Sequence, residues 1–201
     1  MAKDSAENTR ARILQHALSL FAEYGFEGVS MRQVGAATGL TTAALYYHFP
    51  DKEQLYLAVV EGCFTLRVNP LLPGEPSQGQ AAGDPWVRLE AFVAGFVALL
   101  VAEPQFQRLM QWVALDRDEA RARHMAERVF EPFFHGLTDL VPAARDDDER
   151  HFLAVAIMGL MAFPFETQVA RQWLPGFQNP ASAAAHQVDR IMSLLKNGVT
   201  G

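Results

Sequence analysis

Apolar residues recur three and four positions apart along most of this chain, and no segment alternates as a half-buried strand does. Ile13, Leu14, Ala17, Leu18 and Phe21 form a first stripe, opened by Thr9 as a good N-cap and closed at Tyr24-Gly25. Ser30 and Gln33 have capping-box spacing, so a second helix starts there with Val34 and Ala37 as its apolar face. Gly39 supplies the left-handed exit, and Thr41 or Thr42 caps a short third helix, Ala43 to His48. Pro50 ends that helix, and Asp51 caps a fourth from about Lys52 to Val68. Residues 69–85 hold four prolines and three glycines and read as a loop. Beyond it the pattern predicts helices over Trp86–Ala102 and Gln105–Leu115, and one from Asp118 to Leu140, bent or broken at Pro132. A long helix over 147–174 containing Pro164, and a last one over 181–197, complete an all-α chain of about nine helices.

The most informative segment is residues 30–55. Two short helices joined by a glycine-containing turn of about four residues make a helix-turn-helix. The second helix has a size that fits the major groove of DNA.

The wording around this motif carries a family resemblance. Ile13, Leu14, Ala17, Leu20, Phe21 and Gly25 precede it, and Leu45-Tyr46-Tyr47-His48-Phe49-Pro50-Asp51-Lys52-Glu53 closes it. Over roughly residues 9–60 the chain resembles the DNA-binding domain of the TetR family of bacterial repressors. The resemblance implies a three-helix DNA-binding head over residues 1–52, a connecting helix from about 52 to 68, and a helical effector-binding and dimerisation domain over 53–201. It puts Thr42, Ala43 and Tyr46 where base contacts arise, with Thr41 beside them at the cap. Tyr47, His48 and Lys52 match positions that hold phosphates, and Arg32 one that reaches guanine or phosphate.

The remainder is rich in soft and aromatic residues, including Phe64, Phe92, Phe96, Phe106, Met110, Phe130, Phe134, Met158, Met161 and Phe165. Core packing explains such residues singly, but many adaptable side chains together also line cavities. The resemblance implies an effector pocket, and this lining favours a mainly apolar or aromatic small molecule, with Gln111, His124, Glu166 and Gln168 as candidate polar contacts. Pro164 removes a backbone donor and so frees the carbonyl of Leu160. Val155, Gly159 and Ala162, with Val188, Ile191, Met192 and Leu195, make wider apolar surfaces than one helix face requires. In the resembled family such a pair of helices meets its copy in a four-helix dimer interface; the alternative is that they close the monomer's own core.

Composition narrows the picture. Half of the 201 residues are apolar and the mean hydropathy is +0.01, as in a soluble globular protein. The apolar runs Ala91–Ala102 and Leu153–Phe165 fall short of the ~18 residues of a spanning helix. The opening MAKDSAENTR lacks the apolar core of a secretory signal, and the single Cys63 excludes an internal disulfide. These features give the expectation of a cytoplasmic protein without membrane contact. The net charge is −6. Through residue 62, five cations (Lys3, Arg10, Arg12, Arg32, Lys52) face seven acids, which predicts weak non-specific DNA binding. No phosphate-cradling glycine loop, His-Glu-x-x-His, paired cysteines or nucleophile elbow is present, so neither an enzyme, a cofactor nor a metal is expected. The expected protein is a ligand-responsive regulator, most simply a repressor, whose partners are double-stranded operator DNA of palindromic sequence, a small-molecule effector and a second copy of itself. The competing expectation is a helical carrier with a vestigial head.

Overall fold

The computed structural model describes residues 2–72, 84–142 and 144–199, with side chains from residue 7 to residue 198. Most of the loop expected over 69–85 lies outside the described residues. Among those described there is no strand. The helices are α1 (Ala2–Tyr24), α2 (Met31–Thr38), α3 (Thr42–His48), α4 (Lys52–Cys63), α5 (Pro85–Ala102), α6 (Pro104–Ala114), α7 (Glu119–Met125), α8 (Glu131–Thr138), α9 (Asp147–Glu166), α10 (Gln168–Arg171) and α11 (Ala184–Val199).

Several boundaries differ from expectation for identifiable reasons. Helix α1 starts at Ala2, so Thr9 sits inside it. The good helix formers Ala2, Lys3, Ala6 and Glu7 carry the helix past that cap signal. The face of α2 is closed by Met31, Val34, Gly35 and Thr38, while Ala37 is exposed. The Thr38 hydroxyl is admitted to the core because it donates to the carbonyl of Val34 at 2.8 Å. The last turn of the fourth helix widens into a π turn, Phe64–Val68, followed by a 3₁₀ turn, Asn69–Leu71. Pro132 does not break its helix. A π turn, Ala126–Phe130, precedes it and α8 follows directly, which accommodates a ring that would crowd the carbonyl four residues back. Helix α9 ends at Glu166, and a separate short α10 follows.

The chain forms two compact units. Unit 1 comprises Met1–Leu66 and Pro104–Phe130; unit 2 comprises Arg67–Glu103 and Glu131–Gly201. In unit 1, α1 packs against α2, α4 and α6. Ile13, Ala17 and Phe21 of α1 are buried, as are Val34, Leu45, Leu55, Tyr56, Phe106 and Leu109, and the Phe21 ring meets that of Tyr56 at 4.9 Å. In unit 2, α5 packs against α9 and α11 through Leu89, Phe92, Val93, Phe96, Val97 and Leu100. Extending back to Pro85, α5 reaches 18 residues, so by length and composition it is apolar enough to cross a membrane, unlike the shorter runs read from sequence. In unit 2 it packs against α9 and α11, with one face buried.

Candidate functional site: the helix-turn-helix head

The head is assembled by local signals. Ser30 accepts from the Gln33 amide at 3.3 Å, and the Gln33 side chain accepts from the Ser30 amide at 2.8 Å. Such a reciprocal cap satisfies two helix-end donors and contributes about 1 kcal/mol. Gly39 closes α2 with φ 69°, and the amides of Gly39 and Leu40 return to the carbonyls of Ala36 and Gly35. Thr41 then caps α3, its hydroxyl accepting from the Ala44 amide at 3.2 Å. Asp51 caps α4 on the Gln54 amide at 2.7 Å.

These caps fix the roll of α3. Leu45 and Phe49 are buried. The opposite face presents Thr42, Ala43, Tyr46 and Tyr47 to solvent, with Tyr47 86% exposed. Thr41 and Arg32 are exposed as well, His48 is half-buried, and its ring meets that of Tyr47 at 5.5 Å. Arg10, on α1, lies over the Phe49 ring at 5.1 Å, bringing a cation to the end of α3. The exposed face thus offers hydroxyls, a methyl and two phenols on one short rod.

Lys52 is engaged within the protein. Its ammonium donates to the Phe26 carbonyl at 2.9 Å and lies 4.1 Å from the centroid of the Phe26 ring. Phe26 occupies the α1–α2 turn and is also met by the Tyr56 ring at 5.2 Å. Over the same ring, 3.8 Å from its centroid, lies the guanidinium of Arg121 from α7. Arg121 is only 6% exposed, and among the described residues it is the charged side chain that is buried. It donates twice to Asp116, at 2.5 and 2.9 Å, with Asp118 and Glu27 nearby at 3.7 and 4.0 Å. The hydrogen bond from Arg121 holds the Asp116 carboxyl below its usual range, and the same bond raises Arg121. Burial pushes the Tyr56 phenol well above its usual range. Nearby, Trp112 of α6 donates to the Ala22 carbonyl at 3.2 Å, and its ring walls Gly25, which turns the chain at φ 67°. This node was not legible in the sequence: Arg121 stands in the polar run 118–124 and reads there as a solvated side chain.

The aromatic candidates fall into two sets. In unit 1, the Phe64 ring meets Phe130 at 5.3 Å and Phe106 at 6.5 Å, so the two π turns touch through Phe64 and Phe130. Met110 is half-buried. Gln111 lines a shallow cleft with Arg108 and Trp112, and His124 is exposed, 3.5 Å from Glu53. In unit 2, Phe92 meets Phe96 at 5.9 Å and Phe133 at 6.2 Å. Phe134 lies against His151, Met158 is half-buried, and Met161 and Phe165 are buried. Glu166 is exposed and Gln168 half-buried.

The carbonyl freed by Pro164 has a partner: Gln187 of α11 donates to Leu160 and Met161 at 3.2 and 3.1 Å. On α11, Ile191, Met192 and Leu195 are buried within the single chain, against the expectation that they face a partner; their stripe covers α5 and α9. Val188 and Ala162 are half-buried, whereas Val155 and Gly159 are exposed. The outward apolar row on α9 is Phe152, Val155, Gly159 and Phe163, spaced as one helix face, with Leu194 exposed on α11.

Residues 13–59 match the family model described as "Bacterial regulatory proteins, tetR family". The HTH-type transcriptional repressor AcnR of Corynebacterium glutamicum is 45% identical over 58 residues, 29% of this chain and 31% of that protein. The chain thus spans about a third of the length of this relative. Among solved structures, a transcriptional regulator FadR from Bacillus subtilis in complex with stearoyl-CoA superposes with a TM-score of 0.72 at 12% identity, covering 92% of this chain and 96% of that one. AibR in complex with isovaleryl coenzyme A and operator DNA gives 0.63 at 21% identity, over 92% and 97%. At such identities these two similarities establish the fold.

Proposed function

We propose, from the match of its head to the TetR family of bacterial regulatory proteins, that this chain is a ligand-responsive DNA-binding transcriptional regulator of that family, acting as a repressor in the cytoplasm. The observation that carries this reading is the face of α3. Thr42, Ala43, Tyr46 and Tyr47 are exposed together while Leu45 and Phe49 lock the helix from behind. Threonine bonds base edges or touches a thymine methyl, and alanine touches the same methyl. Tyr47, His48 and Arg10 then set register on phosphates, and Arg32 reaches guanine or phosphate.

Two heads are needed to read a palindrome, with half-sites about 34–36 Å apart. The exposed α9 row of Phe152, Val155 and Phe163 supports pairing with a second copy, since such a row is costly to leave in water. The effector is a mainly apolar molecule. The aromatic sets favour this; of the ligands named for the FadR and AibR structures, the acyl chains are apolar while their coenzyme A carrier is charged.

The Phe26 node supplies a route for control. Helix α4 contributes Lys52 and α7 contributes Arg121, and both hold the turn that carries α2 and α3. An effector that prefers one placement of α7 on α4 shifts the head, and by linkage DNA lowers effector affinity equally. Selection of the purified protein on random duplexes is the test. A regulator enriches one palindrome bound by a dimer; enrichment of no sequence would overturn this reading in favour of a carrier.

A further inference from the structure

We infer that a cleft beside Pro164 of α9 in unit 2 binds a small organic anion with an apolar body, a short-chain monocarboxylate being the simplest member of that class. The cleft has a volume of about 240 Å³ and lies between α9, α10, the loop after α10, and α11. Its apolar surface comes from Leu160, Pro164, Ile191 and Leu194. Arg171 and Arg190 also line it, and among the described residues no carboxylate does.

The cations are poorly satisfied. One Nη of Arg171 donates to the Pro164 carbonyl at 3.2 Å, which orients the guanidinium and leaves donors over. Arg190 reaches the Gln178 side chain only at 3.5 Å, the outer limit of a hydrogen bond. Among the described residues neither has an acidic partner. Two guanidiniums line one apolar cleft, and an anion held there would form charge-assisted hydrogen bonds with their spare donors. The walls are held by the chain itself. Gln187 ties α11 to the Leu160 and Met161 carbonyls of α9, Gly176 turns the loop at φ 74°, and Pro180 is buried where the loop returns. A volume below the ~300 Å³ of common ligand pockets selects a small ligand.

This site goes beyond DNA recognition and is read without DNA, so its failure leaves the proposed function standing. Hexanoate, hexanol and hexylamine are titrated into the full-length protein, followed by calorimetry and by the methyl NMR signals of Leu160, Ile191 and Leu194. Hexanoate is expected to shift those methyls and to bind at least about tenfold more tightly than hexanol, with hexylamine not binding. Arg171→Gln and Arg190→Gln are each expected to weaken hexanoate by about tenfold or more, with circular dichroism and sedimentation unchanged. Equal binding of hexanoate and hexanol, shifts elsewhere only, or wild-type affinity in both variants would overturn the proposal. If either variant instead separated a dimer while hexanoate failed to bind, the occupant would be a second copy, and the proposal would also fall.

Discussion

The guanidinium of Arg121 lies over the ring of Phe26, 3.8 Å from its centroid, while bonding Asp116 twice from its edge. Removing it strands a mostly buried carboxylate and uncovers the turn before α2. Arg121→Ala is expected to destabilise the protein by about 2–3 kcal/mol in urea unfolding, less than a fully buried pair because water still reaches Asp116. Arg121→Lys recovers only part, since an ammonium cannot span both oxygens. In a double-mutant cycle with Asp116→Asn the two losses are expected to be clearly non-additive; simple additivity would count against the pairing.

The same pair sets a pH dependence. Asp116 titrates lower in the folded protein than in the unfolded chain. Its stabilisation is therefore complete above the ordinary carboxylate range and is lost as the pH falls through the depressed folded value. Tyr56 is raised, so its contribution is complete below about pH 10 and is lost above it, where only the unfolded chain ionises readily. Stability plotted against pH is expected to lose part of its acid slope in Asp116→Asn and part of its alkaline slope in Tyr56→Phe.

Two glycines with nearly the same backbone separate strain from contact. Gly25 has φ 67° and Gly39 φ 69°. A methyl group at Gly39 would meet no atom within 4 Å, but at Gly25 it would lie 2.8 Å from the Trp112 ring. Gly39→Ala should cost about 1–2 kcal/mol, the left-handed penalty. Gly25→Ala should cost clearly more, and Trp112→Ala in the same chain should return it towards the Gly39 value. Equal costs in thermal unfolding would refute the contact.

On the groove-facing side, Tyr47→Ala and Arg32→Ala are expected to weaken operator binding with little change in melting temperature, because both side chains are exposed. Lys52→Gln should behave oppositely. Its ammonium is held by Phe26, so the variant loses about 1 kcal/mol of stability and keeps the wild-type slope of log affinity against log salt. A slope reduced by about one would instead assign Lys52 to a phosphate.

Gln187 and Pro164 should be coupled. Gln187→Leu leaves the Leu160 carbonyl without its donor and is expected to cost about 1–2 kcal/mol. In Pro164→Ala, residue 164 regains an amide that can donate to Leu160, so Gln187→Leu in that background should cost much less. Equal costs in both backgrounds, by chemical unfolding, would show that Gln187 does not serve the carbonyl freed by Pro164.

The helix-turn-helix was legible because its signals are local. Ser30 with Gln33, Gly39, Thr41 and Asp51 each act within a few residues, and all appear in the structure in those capacities. The alternation of Leu45 and Phe49 with Tyr46 and Tyr47 also gave the facing of α3. What stayed hidden depends on residues distant in sequence. Nothing beside Arg121 announces Phe26, and nothing beside Leu160 announces Gln187. The α11 stripe of Ile191, Met192 and Leu195 was visible, but a stripe does not say whether its cover comes from the same chain; here α5 and α9 supply it. Thr9 misled because a cap residue ends nothing when good helix formers continue upstream.

Unit 1 is sewn from two stretches of chain, so the reading head is not a removable cassette. A chimaera that grafts residues 1–66 onto a foreign body would leave behind Arg121, Asp116, Trp112 and Phe106, the groups that shelter Phe26, Gly25 and Phe64. Transplants that carry residues 104–130 along with the head should travel intact, and the natural seam for recombining specificities follows packing instead of the order of the sequence.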